Sequence, residues 1–371
     1  MTDATGAAGW PRHGGQPDAF IELACRHGLD PGRPLCDLSA NINPLGPPAW
    51  LEAQLRTTLP ALARYPDPDY RQAREAIAAR DGLAPAQVLL TNGGAEAIFL
   101  AAALHAGQRG VIVEPTFGEY ARACRHYGVG IHRLALTAQD FSLDQVAAEA
   151  AMAEADVMWL CRPNNPSGTL VPRTQIEALL RAGLTHGCRL VVDEAFVDFT
   201  AQDECLTPLL AEYPNLLLLR SLTKYYALPG LRLGYLLGSA DSVARAAECQ
   251  LPWSVNALAA DLVAPLLDDH DYQRQTRAWL DAERPYLQSG VARLGFVAPL
   301  TEANFLLLRD PRAAAGSGSA DPLFAHLLAH GLLARHTHNF AGLDGGWLRV
   351  ALGERDANCQ LLEALAAWRQ A

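Results

Sequence analysis

Leu216-Leu-Leu-Leu-Arg-Ser-Leu-Thr-Lys-Tyr-Tyr-Ala-Leu-Pro-Gly-Leu-Arg-Leu-Gly-Tyr235 carries the only lysine of the chain, Lys224. The run Leu216–Leu219 reads as a strand buried on both faces, and the lysine follows just past its carboxyl end. That is where ligands of open α/β sheets sit. The other 29 of the 30 basic residues are arginine. Arginine replaces lysine as a surface charge, but its guanidinium stays protonated and cannot serve as an amine nucleophile. An amine whose surroundings lower its pKa from about 10.4 attacks carbonyls. Ser221 and Arg232, close by in sequence, suit a phosphate.

Outward from this segment, short apolar runs alternate with helical patterns. The runs are Val88–Leu90, Val111–Val113, Val157–Leu160, Leu190–Val192 and Leu233–Leu237, each bounded by Gly, Pro or Asn. Ser142 with Gln145 and Thr174 with Glu177 fit capping boxes, which predicts helix starts there. Alternating strand and helix predicts an α/β fold with a mainly parallel sheet covered by helices. After about residue 250 the texture changes. A long helical stretch over 255–293 leads to strand candidates near Phe305–Leu308, Leu332–Arg335 and Trp347–Leu352. The expected organisation is an N-terminal arm over 1–36 that joins the small domain, a large domain over 37–252, and a smaller α+β C-terminal domain over 253–371. Residues 1–12 are expected to fray, and Ala313–Ala320 to form a flexible loop.

The chain has 371 residues, enough for two lobes. Its formal charge of −10 comes without a basic run, which argues against nucleic acid and anionic membranes as partners. No signal peptide opens the chain and no apolar stretch is long enough to span a bilayer, so a cytoplasmic location is expected. Its eight cysteines form no C-x-x-C pair and read as reduced, small hydrophobes. His326 and His330 stand four apart, but no third ligand accompanies them, so no metal is expected.

Asp193 ends a buried run, where a carboxylate needs a cation such as a protonated pyridine nitrogen. Thr91-Asn-Gly-Gly-Ala-Glu-Ala-Ile98 is a strand-to-helix turn whose free N–H groups form an anion site. Lysine, acid and anion cradle together are what pyridoxal 5'-phosphate uses. Read alone, Asn165 is also ordinary turn chemistry, Phe117 a core residue, and Arg335 and Arg349 surface charges.

The ordered set His13-Gly-Gly15, Leu38-Ser-Ala-Asn-Ile-Asn-Pro-Leu-Gly46, Arg64-Tyr-Pro-Asp-Pro-Asp69, Arg162-Pro-Asn-Asn-Pro-Ser-Gly168, Asp193-Glu-Ala-Phe196 and the Lys224 segment resembles fold-type I pyridoxal-phosphate enzymes of the class I/II aminotransferase superfamily. The resemblance covers nearly the whole chain. Within that superfamily the chain is most similar to the threonine-phosphate decarboxylases of cobalamin biosynthesis, which are themselves related to histidinol-phosphate aminotransferases. The resemblance implies that Lys224 forms the Schiff base and later moves protons, and that Asp193 pairs with the pyridine nitrogen. Asn165 would bond the ring oxygen and Phe117 stack on the ring. Gly94, Ala95, Ser221 and Arg232 would hold the cofactor phosphate, joined by Tyr65 from the partner of a homodimer. Arg349 would receive the carboxylate of a phosphorylated amino-acid substrate, and Arg335 its phosphate, together with His13 and Asn43 as further substrate-binding residues. Phe196 departs from the tyrosine that many members carry, which leaves Asn165 as the main partner of the ring oxygen. The expected activity is decarboxylation of O-phospho-L-threonine. Histidinol-phosphate aminotransferase is the alternative, and a non-catalytic cofactor-binding sensor is the alternative of another class.

Overall fold

The computed structural model describes residues 10–16, 22–23, 25–26, 35–200, 204–314 and 316–370. Near the start, β1 (Cys36–Asp37) pairs in parallel with β10 (Leu332–Leu333), tying an N-terminal segment to the C-terminal part of the chain. The main sheet contains β2 (Val88–Asn92), β3 (Arg109–Glu114), β4 (Gly130–Ala135), β5 (Val157–Cys161), β6 (Arg189–Asp193), β7 (Leu216–Ser221) and β8 (Leu233–Leu237). Their order is β2-β8-β7-β6-β5-β3-β4, and only β8 runs against its neighbours. Alternate residues of each strand enter different cores. Met158, Leu160, Leu190, Val192, Leu216 and Leu218 lie on one side, and Trp159, Val191, Leu217 and Leu219 on the other. Burial on both faces is why these strands read as continuous apolar runs. The exception is β4, an edge strand whose residues are exposed or half-buried, so Gly130-Ile-His-Arg-Leu-Ala135 shows no run to find.

Three antiparallel strands in the order β11 (Arg335–His336), β12 (Leu348–Ala351) and β9 (Phe305–Leu308) form a smaller sheet. The fold-type I expectation of a large, mainly parallel sheet and a smaller α+β part is met. Local details differ from expectation. Asp144, not Ser142, caps the helix Gln145–Ala153, accepting from the Ala147 N–H at 3.1 Å. The Ser142 hydroxyl is instead 3.0 Å from that of Thr137, within the preceding turn. The next helix, Arg173–His186, follows Pro172, so Thr174 lies inside it and Glu177 pairs with Arg173 at 3.1 Å. The expected helical stretch over 255–293 divides where the Asp269 carboxylate caps a new helix, His270–Arg293. Of the arm expected to fray, residues 1–9 lie outside the described residues. Trp10 is docked, its ring 4.8 Å from that of His338 and 5.1 Å from that of Phe324. Aromatic burial outweighs the entropy of a free end here. Among the described residues no helix is long and apolar enough to cross a membrane.

Candidate active site

Parallel order brings the carboxyl ends of β2, β3, β5, β6 and β7 to one edge of the sheet, and β8 begins there. Asp193 is the last residue of β6 and is buried. Its Oδ1 accepts from the Ala195 N–H at 2.9 Å, and its Oδ2 accepts from the Tyr120 hydroxyl at 2.7 Å. Burial raises the carboxyl pKa, while these two donors and Lys224 pull it back.

Lys224 lies in the short helix Leu222–Tyr225 that follows β7. Burial, then the positive charges of Arg232 and Arg349, push its amine down to about 8. An amine at about 8 still carries its proton on most molecules at neutral pH, but offers far more free base there than an ordinary lysine. Behind it, the Asn43 N–H donates to the Lys224 carbonyl at 3.1 Å. The Asn43 amide donates to the Tyr225 carbonyl and the Thr276 hydroxyl, both at 2.9 Å. Its donors therefore serve the lysine's scaffold.

The anion cradle forms where β2 meets the helix Gly93–Ala103. Gly93 has φ +75°, and a Cβ there would fall 2.3 Å from Arg232 Nη2. A Cβ on Gly94 would meet that of Ser221 at 3.7 Å. The first N–H groups of this helix, including those of Gly94 and Ala95, lack intrahelical partners, and an anion suits them. Arg232 is held in the left-handed region at φ +58° and donates to the Pro229 carbonyl at 3.0 Å. Strain of this sort persists where the surroundings over-determine the backbone.

Two other guanidiniums approach from the small sheet. Arg349 donates through Nη1 to Asn165 Oδ1 at 2.5 Å and through Nη2 to the Ser39 carbonyl at 2.8 Å. Its Nε is buried without a partner, and the Asn165 amide nitrogen makes no bond to the described residues. Arg335 stands directly opposite Arg349 across the β11–β12 pair. It donates to the carbonyls of Pro11 at 2.8 Å and Arg12 at 2.6 Å, and to Asn339 Oδ1 at 2.8 Å. The two arginines are 3% and 6% exposed, and among the described residues neither meets a carboxylate. Burial pushes Arg335 down to about 10, and burial with Arg335's charge pushes Arg349 down to about 9. Like charges opposite each other on a ladder are destabilising, and an anion between them would relieve this pair.

Phe117 follows β3, with the His13 ring 5.9 Å away and His13 Nε2 3.3 Å from Glu119 Oε1. Tyr65 does not join the cluster within one chain. It is 81% exposed and packs on Trp253 with ring centroids 4.8 Å apart. Phe196 is buried edge-on against Phe305 at 5.0 Å. His326 Nε2 is 2.9 Å from the Ala364 carbonyl and His330 Nδ1 2.8 Å from the His326 carbonyl. Gly93 and Ser39 lie in the quoted motifs but receive no role of their own from the sequence, and Tyr120 is not singled out there. Gly93 adjoins Gly94 in the glycine turn, and Tyr120 follows Phe117 by one helical turn, so each carried a weak signal.

The chain belongs to the family of class I and II aminotransferases, whose model matches residues 33–365. It is a pyridoxal 5'-phosphate enzyme. Among its relatives is the threonine-phosphate decarboxylase of Salmonella typhimurium, 38% identical over 356 residues and 95% of each chain. A histidinol-phosphate aminotransferase of Symbiobacterium thermophilum is 33% identical over 90% of each. The solved structure of an L-threonine-O-3-phosphate decarboxylase from Porphyromonas gingivalis matches with a TM-score of 0.78 at 27% identity, covering 90% of this chain and 99% of that one. The residues present fit the cofactor on their own terms. A cradle that a Cβ would fill, a buried carboxylate, a free amide donor and an amine of lowered pKa converge on one sheet edge.

Proposed function

We propose that the protein decarboxylates O-phospho-L-threonine to 1-amino-2-propanol O-phosphate, the reaction of its threonine-phosphate decarboxylase relatives in cobalamin biosynthesis. The observation that carries this reading is the pair Arg335 and Arg349, buried, face to face and without carboxylate partners among the described residues. A substrate with both a carboxylate and a phosphate neutralises both.

When bound, pyridoxal 5'-phosphate supplies an aldehyde that condenses with amines and a pyridinium ring that accepts an electron pair released at Cα. Gly94, Ala95, Ser221 and Arg232 hold its phosphate, and Asp193 keeps the proton on its ring nitrogen. Asn165 would offer its amide to the ring oxygen, and Phe117 would supply an aromatic surface for the ring. Lys224, as a free amine, would be the residue that holds the aldehyde until the substrate amine replaces it, and it would take up the proton that amine sheds and pass it to Cα. Arg349 holds the carboxylate and Arg335 the phosphate, with His13, which packs near Phe117, as a further substrate contact. With both ends fixed, rotation about the Cα bond is restricted, and these anchors choose the carboxylate as the group to leave. The bond from Cα to the carboxylate breaks, carbon dioxide departs, and the proton takes its place. We assign Asn43 to the lysine's scaffold on the strength of its bonds to the Lys224 and Tyr225 carbonyls.

The acting unit is proposed as a homodimer in the cytoplasm, with Tyr65 reaching the partner's cofactor phosphate. The exposure of Tyr65 and eight free cysteines support this. The division into 1–36, 37–252 and 253–371 is likewise proposed. The main sheet draws only on residues 88–237, and the small sheets on 36–37 and 305–351.

Comparing substrates tests the dianion reading. The wild type should prefer O-phospho-L-threonine to L-threonine by about 100-fold in kcat/KM, the scale of two charge-assisted hydrogen bonds. Arg335→Ala should remove most of that preference. Equal turnover of both substrates by the wild type would refute the assignment. The aminotransferase reading is favoured by the 33% identical relative. Turnover of histidinol phosphate that depends on 2-oxoglutarate would support it.

A further inference from the structure

Tyr120 is fully buried at the start of the helix Glu119–His126. Its hydroxyl donates to Asp193 Oδ2 at 2.7 Å. Its ring stacks on that of Trp159 at 5.8 Å with planes 21° apart, and meets the Phe117 ring edge-on at 6.0 Å. One side chain thus contacts both the acid proposed to face the ring nitrogen and the residue proposed to cover the ring.

We infer that Tyr120 is a positioning residue that keeps Asp193 ionised and aimed, and so sets how firmly the cofactor ring holds its proton. This rests on the cofactor reading of the site. A buried carboxylate with no donor drifts towards its neutral form, which cannot stabilise a pyridinium. The groups facing Asp193 are few. They are Tyr120 from the helix after β3, Cys161 from β5, the Ala195 N–H that follows β6, and Lys224 beyond β7. The Cys161 thiol is held neutral by burial and points to the Pro163 carbonyl at 3.3 Å. Lys224 loses its charge as pH rises through about 8, and it acts on Asp193 through charge rather than through a hydrogen bond. Tyr120 is therefore the one neutral side-chain donor bonded to this carboxylate among the described residues, and burial holds its own proton on well above the usual phenol range. Such a donor steadies the carboxylate without adding a cation that would compete with the ring. Control of the ring from the nitrogen side matters more in this chain, because Phe196 supplies no hydroxyl for the oxygen side.

The test is Tyr120→Phe, which keeps the ring and removes one oxygen. Apoprotein is titrated with pyridoxal 5'-phosphate by fluorescence, and the absorbance of the loaded protein is followed against pH. A ring that holds its proton less firmly withdraws less charge from the lysine-bound nitrogen, so that nitrogen keeps its proton to higher pH. The variant should bind the cofactor about tenfold more weakly, the scale of one hydrogen bond to a charged acceptor. Its absorbance midpoint should move up, and kcat should fall while KM for substrate holds. A midpoint that stays at the wild-type pH overturns the inference, whatever the affinity does, because packing alone would then account for Tyr120. If the wild type itself fails to take up the cofactor, the cofactor reading fails instead.

Discussion

Lys224 shows how a single position gains reactivity from its surroundings. Its amine lies at about 8 because burial and two guanidiniums disfavour the charged form. Capture of pyridoxal 5'-phosphate by the apoprotein should therefore quicken as pH rises through about 8 and level off above it, read by the growth of the lysine-bound absorbance. A rate flat between pH 7 and 9 would mean that the amine is not the titrating group. Arg349→Ala should raise KM for O-phospho-L-threonine by about tenfold or more, the scale of a lost charge-assisted bond. Cofactor affinity should change far less, and steady-state kinetics beside a cofactor titration separates the two. At this scale much was legible. The lone lysine, the strand-ending aspartate and the glycine turn each require a residue type that few others replace. Asn43 was not legible, because its motif places it near the site while only its hydrogen bonds show its amide spent on the Tyr225 carbonyl, next to the lysine, and on Thr276. Tyr120 stayed hidden because a buried tyrosine reads as core.

The elements that present these residues are held together by charge as well as by packing. Glu194, one residue past Asp193, is fully buried between Arg220 Nε at 2.9 Å and Arg162 Nη1 at 3.6 Å. Arg220 belongs to β7 and Arg162 follows β5, so one carboxylate links the ends of three adjacent strands. Arg162 also pairs with Glu204. Removing one partner of a buried cluster strands the others. Glu194→Ala should therefore lower stability by about 3–5 kcal/mol, measured by urea unfolding of the apoprotein. A loss below about 1 kcal/mol would show that water or rearrangement relieves the two arginines. Strands buried on both faces were legible as apolar runs, whereas β4 was not, since an edge strand carries no such run. Helix starts were misread where a nearer acceptor won. Asp144 lies directly before its helix, so its carboxylate reaches the Ala147 N–H and the Ser142 hydroxyl does not.

Across the whole molecule, the segment Trp10–Gly15 crosses between the two sheets. Its carbonyls meet Arg335, His13 reaches Glu119, and the Gly15 N–H donates to Ser39 Oγ at 3.0 Å. No periodicity marks this segment, so its course was not legible, although the motif His13-Gly-Gly15 was. A shared site in the proposed two-fold dimer would account for the exposure of Tyr65. Sedimentation should give twice the mass of one chain. Mixing Tyr65→Ala with Lys224→Ala chains should restore turnover that neither gives alone, because one site of the mixed dimer has both residues. Failure to complement, with mixed dimers demonstrated, would place each site within a single chain.

The central claim is tested most directly by product analysis of cofactor-loaded protein with O-phospho-L-threonine, with and without 2-oxoglutarate. The account predicts carbon dioxide and 1-amino-2-propanol O-phosphate in both cases, with no requirement for the keto acid. Glutamate formed only with 2-oxoglutarate, and no carbon dioxide, would contradict it, because the hydrogen rather than the carboxylate would then be the group that leaves Cα.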